Sequence, residues 1–168
     1  MNEIPDVESL GERLGQELAV SDWIEITQQR IDGFADVTED RQWIHVDPGR
    51  AAVDSPFKAP VAHGFLTLSL VSVLSRRALA LGRVQMAVNY GLNRVRFVSP
   101  VPAGARIRGR FTPIAVKETG GGVQVTWRVN IEREHTEKPC VVAEWIVRYF
   151  PTGARTEPPL PGHRQRTS

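Results

Sequence analysis

One cysteine, Cys140, is the whole thiol content of a 168-residue chain. That excludes an intramolecular disulfide and any zinc site built on cysteines, and it fits a reducing, cytoplasmic setting. Long apolar runs are missing too. The most apolar stretch, GFLTLSLVSVLS at 64–75, is shorter than the roughly 18 residues that a membrane span needs, and it reads as a buried helix. The first residues, MNEIPDVESLGERLGQ, carry acids early and no apolar core, which is not the pattern of a secretory signal. Neither sign of charge dominates. Setting aside three arginines (Arg155, Arg164, Arg166) and one acid (Glu157) after Phe150, the 21 basic and 19 acidic residues reduce to 18 of each. A near-neutral body gives a nucleic-acid partner little electrostatic footing. The sequence also has no H-x3-H pair, no phosphate-cradling glycine loop and no internal repeat.

What is present, 41% hydrophobic and 24% charged residues, suits one globular domain. Val7, Leu10, Leu14 and Leu18 fall at helical spacing and predict a short amphipathic helix in an N-terminal extension over 1–20. SDWIEIT (21–27) reads as a strand. Thr27 is a candidate N-cap for a helix whose apolar face carries Ile31, Phe34 and Ala35 and which ends near Asp36 to Glu39. Asp47 followed by Pro48 is a favoured helix start, cap and first turn. Beyond the irregular SPFKAPVAHG comes the apolar helix from His63 or Gly64.

Downstream, the periodicity changes from helical to alternating. NRVRF (93–97), ARIRGRF (105–111), GVQVTWRVNIE (122–132) and CVVAEWIVRYF (140–150) read as strands. ETGGGV and EHTEKP are the turns between the last three. In the third strand Val123, Val125, Trp127, Val129 and Ile131 share one face. An uncharged helix needs cover on nearly all sides, and a long antiparallel sheet needs cover on its apolar face. A sheet curled around one long central helix, an α+β arrangement over 21–150, meets both needs. Residues 151–168, with prolines and charge but no periodicity, are expected to be a flexible tail.

The reactive candidates are Asp40, His45, His63 and the amide of Gly64. An aspartate and a histidine five positions apart in a loop can share one water, one group taking its proton while the other orients it. They can equally be a solvated aspartate and a structural histidine. Gly64 opens an uncharged helix whose first amides lack intrahelical acceptors, so negative charge is favoured there and a ligand can approach the backbone closely. Packing at a tight turn would also explain a glycine. His63 is expected to line the site or to hold the loop through a hydrogen bond. Asp36, Asp40, His45 and Asp47 are close enough in sequence to be metal ligands, but Asp47 is better read as a cap and Asp36 as an exposed helix residue, so no metal is expected.

TEDRQWIHVDPGRAA followed by PFKAPVAHGFLTLSL resembles the hydratase-2 motif of MaoC-like (R)-specific enoyl-CoA hydratases. FADVTEDRQWIHVDP, AHGFLTLSL and NYGLNRVRFVSPVPAG are similar to the nodulation-protein-N-like subgroup, and the likeness runs over about residues 20–150. The resemblance implies a hot-dog fold, in which a curved antiparallel sheet wraps a long central helix. It implies Asp40 and His45 as the catalytic pair, Gly64 as the residue whose amide polarises a thioester carbonyl, and Ser72 as a pocket-lining residue. Ser72 could instead be a core serine bonded to a carbonyl one turn back. His63 is expected on the substrate side of the same site. The implied substrate is an acyl-CoA thioester, with acyl carrier protein as another carrier. No cofactor beyond the CoA of the substrate is implied, and a homodimer is.

The sequence departs from the family pattern at Glu39, where glycine is usual, and at Gln42, Trp43 and Ile44, where Asn-Pro-Leu is usual. The second departure is familiar in the nodulation-protein-like subgroup. Glu39 is expected to face solvent. Arg94, Arg96 and Arg106 are candidates to meet the carrier's phosphates, although strand arginines more often form a solvated face. Two other activities suit these residues: a thioesterase, with water attacking the carbonyl carbon itself, and a non-catalytic acyl-thioester binding protein.

Overall fold

The computed structural model describes residues 2–152. In chain order it has β1 (Asn2–Ile4), a 3-10 helix (Glu8–Arg13), β2 (Ala19–Val20), β3 (Ile24–Glu25), α1 (Gln28–Thr38), α2 (Trp43–Val46) and α3 (Pro48–Asp54). Then come α4 (Gly64–Ser69), α5 (Val71–Ala78), β4 (Leu79–Leu81), β5 (Val84–Phe97), β6 (Arg106–Thr119), β7 (Gly122–Arg133) and β8 (Val141–Pro151). One antiparallel sheet runs β2-β6-β7-β8-β5, with β3 also on β6, while β1 and β4 form a separate parallel pair.

The sheet buries the face its alternation predicts. Val125, Trp127, Val129 and Ile131 are fully inaccessible, and Val141, Ala143, Trp145, Val147 and Tyr149 of β8 lie beside them. The indole of Trp127 donates to the Tyr149 hydroxyl at 3.0 Å, so the largest core ring leaves no unpaired donor. Leu66, Leu70, Val71, Leu74 and Ala78 of the central helix complete the core. Gly109 of β6 gives the helix room. A Cβ there would lie 3.1 Å from Leu74 Cβ and 2.9 Å from the Phe111 ring.

The central helix is not one straight rod. It divides into α4 and α5 at Leu70, while bonds from Leu70 N to Leu66 O and from Leu74 N to Leu70 O carry the chain across. The Ser69 hydroxyl donates to Leu66 O at 2.8 Å, and such competition for a helical carbonyl bends helices. Nor is the helix covered all round, for Phe65 is 68% exposed.

Three further expectations need revision. The N-terminal helix is a six-residue 3-10 turn, because Gly15 turns away at φ +80 and donates to Pro113 O. Ile4, Val7 and Leu10 of this segment join the main core. The strand expected over 21–27 is reduced to Ile24–Glu25, with Ala19–Val20 before it. Between them Ser21 N still donates to Gly109 O, but Gly109 N donates to the Ser21 hydroxyl, so a side chain takes the place of the return bond to a backbone carbonyl. Pro151, placed in the tail, closes β8 opposite Val84. The rest of that tail, from residue 153, lies outside the described residues.

Candidate active site

Thr27 caps α1 by accepting from Arg30 N. The helix stops at Thr38 because Glu39 takes a left-handed conformation, φ +62. That is the position where glycine is usual, and glycine adopts this conformation without strain. The reversal delivers Asp40 onto a loop held by a 2.8 Å pair between Arg41 and Asp36. Asp47 accepts from Arg50 N with Pro48 in the first turn of α3, and α2 just before it carries His45. The two aspartates weighed as outer metal ligands are thus committed, one to an ion pair and one to a cap.

His45 is buried, and its Nδ1 lies 2.6 Å from Val61 O. A carbonyl can only accept, so Nδ1 carries the proton and Nε2 is left as the basic nitrogen when the ring is neutral. The carbonyl of His45 accepts from Gln28 Nε2 at 2.7 Å, which ties α2 to α1. Burial lowers the His45 pKa below its usual value, and His63 lowers it further. The Val61 hydrogen bond and the Asp40 carboxylate pull the other way. Asp40 itself is exposed.

Val61 N donates to Ile44 O, and Ala62 N donates to Val101 O, so the connection into α4 is held as a strand would be. His63 is 2% exposed, its Nε2 lies 2.8 Å from Asp40 O, and its ring stacks on His45 with centroids 3.8 Å apart. Asp40, His45 and His63 bring ligand-type atoms within 4.8 Å of one another. Nδ1 of His45 is taken up by Val61 O and Nε2 of His63 by Asp40 O, which leaves one free ring nitrogen on each histidine.

Gly64 follows directly, and α4 begins there with no side-chain cap on its first amides. A Cβ on Gly64 would stand 2.9 Å from the Phe97 ring. The packing explanation of this glycine therefore holds, since Phe97 needs the space, and its backbone also lines a cleft with Thr67, Phe97 and Val101. Ser72 stands apart from this group, two helical turns or ~12 Å along the axis. It makes no bond to a carbonyl one turn back. Its hydroxyl accepts from Asn89 Nδ2 at 3.2 Å, and Asn89 Oδ1 accepts from Trp145 Nε1 at 3.2 Å. Two adjoining grooves between the central helix and strands β5 and β8, ≈ 280 and ≈ 320 Å³, share Ser72, Asn89 and Trp145. Asn89 and Trp145 were not legible as site residues, because nothing local distinguishes a strand asparagine that bonds to solvent from one that bonds inward. Of the arginines, Arg106 is paired with Glu134 at 3.1 Å, whereas Arg94 and Arg96 have no carboxylate partner among the described residues.

The sheet wrapped on a central helix defines a hot-dog domain, with Asp40, His45 and His63 gathered just before the helix start. The chain belongs to the MaoC-like domain family, whose domain matches residues 9–135. It is 45% identical over 150 residues to 3-hydroxyacyl-thioester dehydratase Z of Mycobacterium tuberculosis, covering 89% of this chain and 99% of that one. It is 50% identical over 136 residues to nodulation protein N of Rhizobium leguminosarum bv. viciae, covering 80% and 84%. The crystal structure of the (R)-hydratase from A. caviae involved in PHA biosynthesis has the same fold, with TM-score 0.63 at 24% identity, covering 82% of this chain and 96% of that one. Among the described residues no helix is long and apolar enough to cross a membrane.

Proposed function

We propose that this protein is an (R)-specific enoyl-CoA hydratase, adding water reversibly and syn to a trans-2-enoyl thioester to give the (R)-3-hydroxyacyl thioester. The observation that carries this reading is the gathering of Asp40, His45 and His63 within 4.8 Å of one another, with His63 leading directly into Gly64 and the uncapped start of the central helix. A water held between the Asp40 carboxylate and His45 Nε2 gives its proton to His45 as its oxygen bonds to C3. Charge moves to the thioester oxygen, where the Gly64 amide stabilises it as an enolate. The same proton then passes to C2 from the same face, so one water supplies both groups. The thioester already makes C3 electrophilic, so no metal or redox cofactor is required.

The acyl chain would lie along the grooves past Phe65 and Leu68 toward Ser72. CoA is the carrier we favour, and acyl carrier protein is the other one.

We also propose a homodimer. β5 is a 14-residue sheet edge and exposes Met86, Val88, Tyr90, Leu92 and Phe97. A long apolar edge needs a partner, and a second copy supplies one by symmetry.

The test is incubation with crotonyl-CoA and longer enoyl-CoAs, followed by chiral analysis. Loss of the conjugated thioester with (R)-3-hydroxyacyl-CoA as product supports the reading. Release of free CoA would make the protein a thioesterase, and binding without turnover would make it a carrier protein.

A further inference from the structure

His63 touches every part of the proposed machinery. Its Nε2 meets the main-chain carbonyl of Asp40 at 2.8 Å, its ring lies 3.8 Å from that of His45, and its own carbonyl side leads straight into Gly64. Phe34 of α1 packs on its other side with centroids 5.0 Å apart. Only 2% of the residue is exposed.

We propose that His63 is a positioning residue, which fixes Asp40 through the loop carbonyl and confines the mobile proton to His45. This rests on the hydratase reading of the same site. The carbonyl of Asp40 can only accept, so His63 Nε2 carries a proton and donates it. The remaining nitrogen, Nδ1, is buried without a hydrogen-bond partner among the described residues. The bond from Nε2 fixes the His63 tautomer and leaves Nδ1 no group to exchange a proton with, so the proton taken from water resides on His45, where the ring stacked at 3.8 Å opposes a charge. The groups that act electrostatically on His45 are Asp40, from the loop after α1, and His63, from the start of α4. Gln28 of α1, which grips the His45 carbonyl, is uncharged and is itself held by Asp32.

Two substitutions separate positioning from simple packing. His63→Gln keeps an N–H for the Asp40 carbonyl but removes the ring. His63→Leu keeps the volume and removes the donor. With crotonyl-CoA, His63→Leu is expected to lose about ten- to a hundredfold in kcat with KM little changed, as misplacement of a catalytic group does. His63→Gln should retain most of kcat, while the acid limb of its kcat/KM profile moves to higher pH because the ring that opposed His45 protonation is gone. Equal losses in both variants with the acid limb unmoved would overturn the proposal.

An NMR titration of the His45 imidazole needs no substrate, and with four histidines in the chain it is readily assigned. Its midpoint should rise in His63→Gln. If the parent hydrates no enoyl thioester, the reaction is wrong, but the titration still decides the coupling: an unchanged midpoint in both variants overturns it.

Discussion

Glu39 carries a conformational cost at the entrance to the site. A left-handed residue with a Cβ is strained by about 1–2 kcal/mol, and its side chain is exposed. Glu39→Gly should therefore stabilise the fold by up to about 1 kcal/mol, since glycine's greater freedom in the unfolded chain takes back part of the gain. Thermal or denaturant unfolding of the two proteins measures this. His45 makes a pH prediction. Its folded pKa lies below its usual 6.5, chiefly through burial, so the unfolded chain binds more protons in the window below that value. Stability should then fall as pH drops from about 6.5 toward the folded pKa, while the basic form of His45, and with it kcat/KM, survives to lower pH than an exposed histidine would allow. Replacing His45 by Gln should flatten this part of the stability profile. Residue type and spacing raised Asp40, His45 and Gly64 as candidates but left their bland readings open, and only the resemblance to the hydratase motif assigned them roles. His63 was expected to line the site or to hold the loop through a hydrogen bond, and its bond to the Asp40 carbonyl fits the second, whereas stacking on His45 leaves no local mark in a sequence.

At the scale of elements, reading worked where one rule governed a whole segment. The alternation of β7, and of β8 as far as Tyr149, matches their burial, and the caps at Thr27 and Asp47 start α1 and α3 as their chemistry requires. The first half of β5 was missed. Register shifts at Val84/Met86, Asn89/Gly91 and Leu92/Val95 break its period, and exposure on both faces removes the contrast that alternation depends on. The bend at Leu70 likewise depends on which carbonyl Ser69 chooses, a choice that composition does not reveal. Helix-to-sheet packing depends on Gly109. Gly109→Ala drives a methyl between Leu74 and Phe111, both fully buried. It should cost about 1–3 kcal/mol by overpacking, read as a lower unfolding midpoint.

For the molecule as a whole, the exposed edge and the site belong to one problem. Phe97 ends the apolar edge of β5 and also packs against Gly64, and it meets Phe65 edge-on at 5.6 Å. Whatever covers β5 therefore closes one wall of the cleft. Val88→Lys, a charge placed on that edge far from Gly64 in the strand, should halve the mass in solution by light scattering and weaken turnover with it. A parent protein that is already monomeric and fully active would contradict this.

In the proposed reaction Asp40 and His45 together add one water to an enoyl thioester. The direct measurement is crotonyl-CoA consumption, followed by loss of the conjugated thioester absorbance, for the parent, Asp40→Asn and His45→Gln. The expected result is (R)-3-hydroxybutyryl-CoA from the parent and a fall of about a hundredfold or more in kcat/KM for each variant, with folding intact. Undiminished hydration by either variant, or an (S) product, would contradict it.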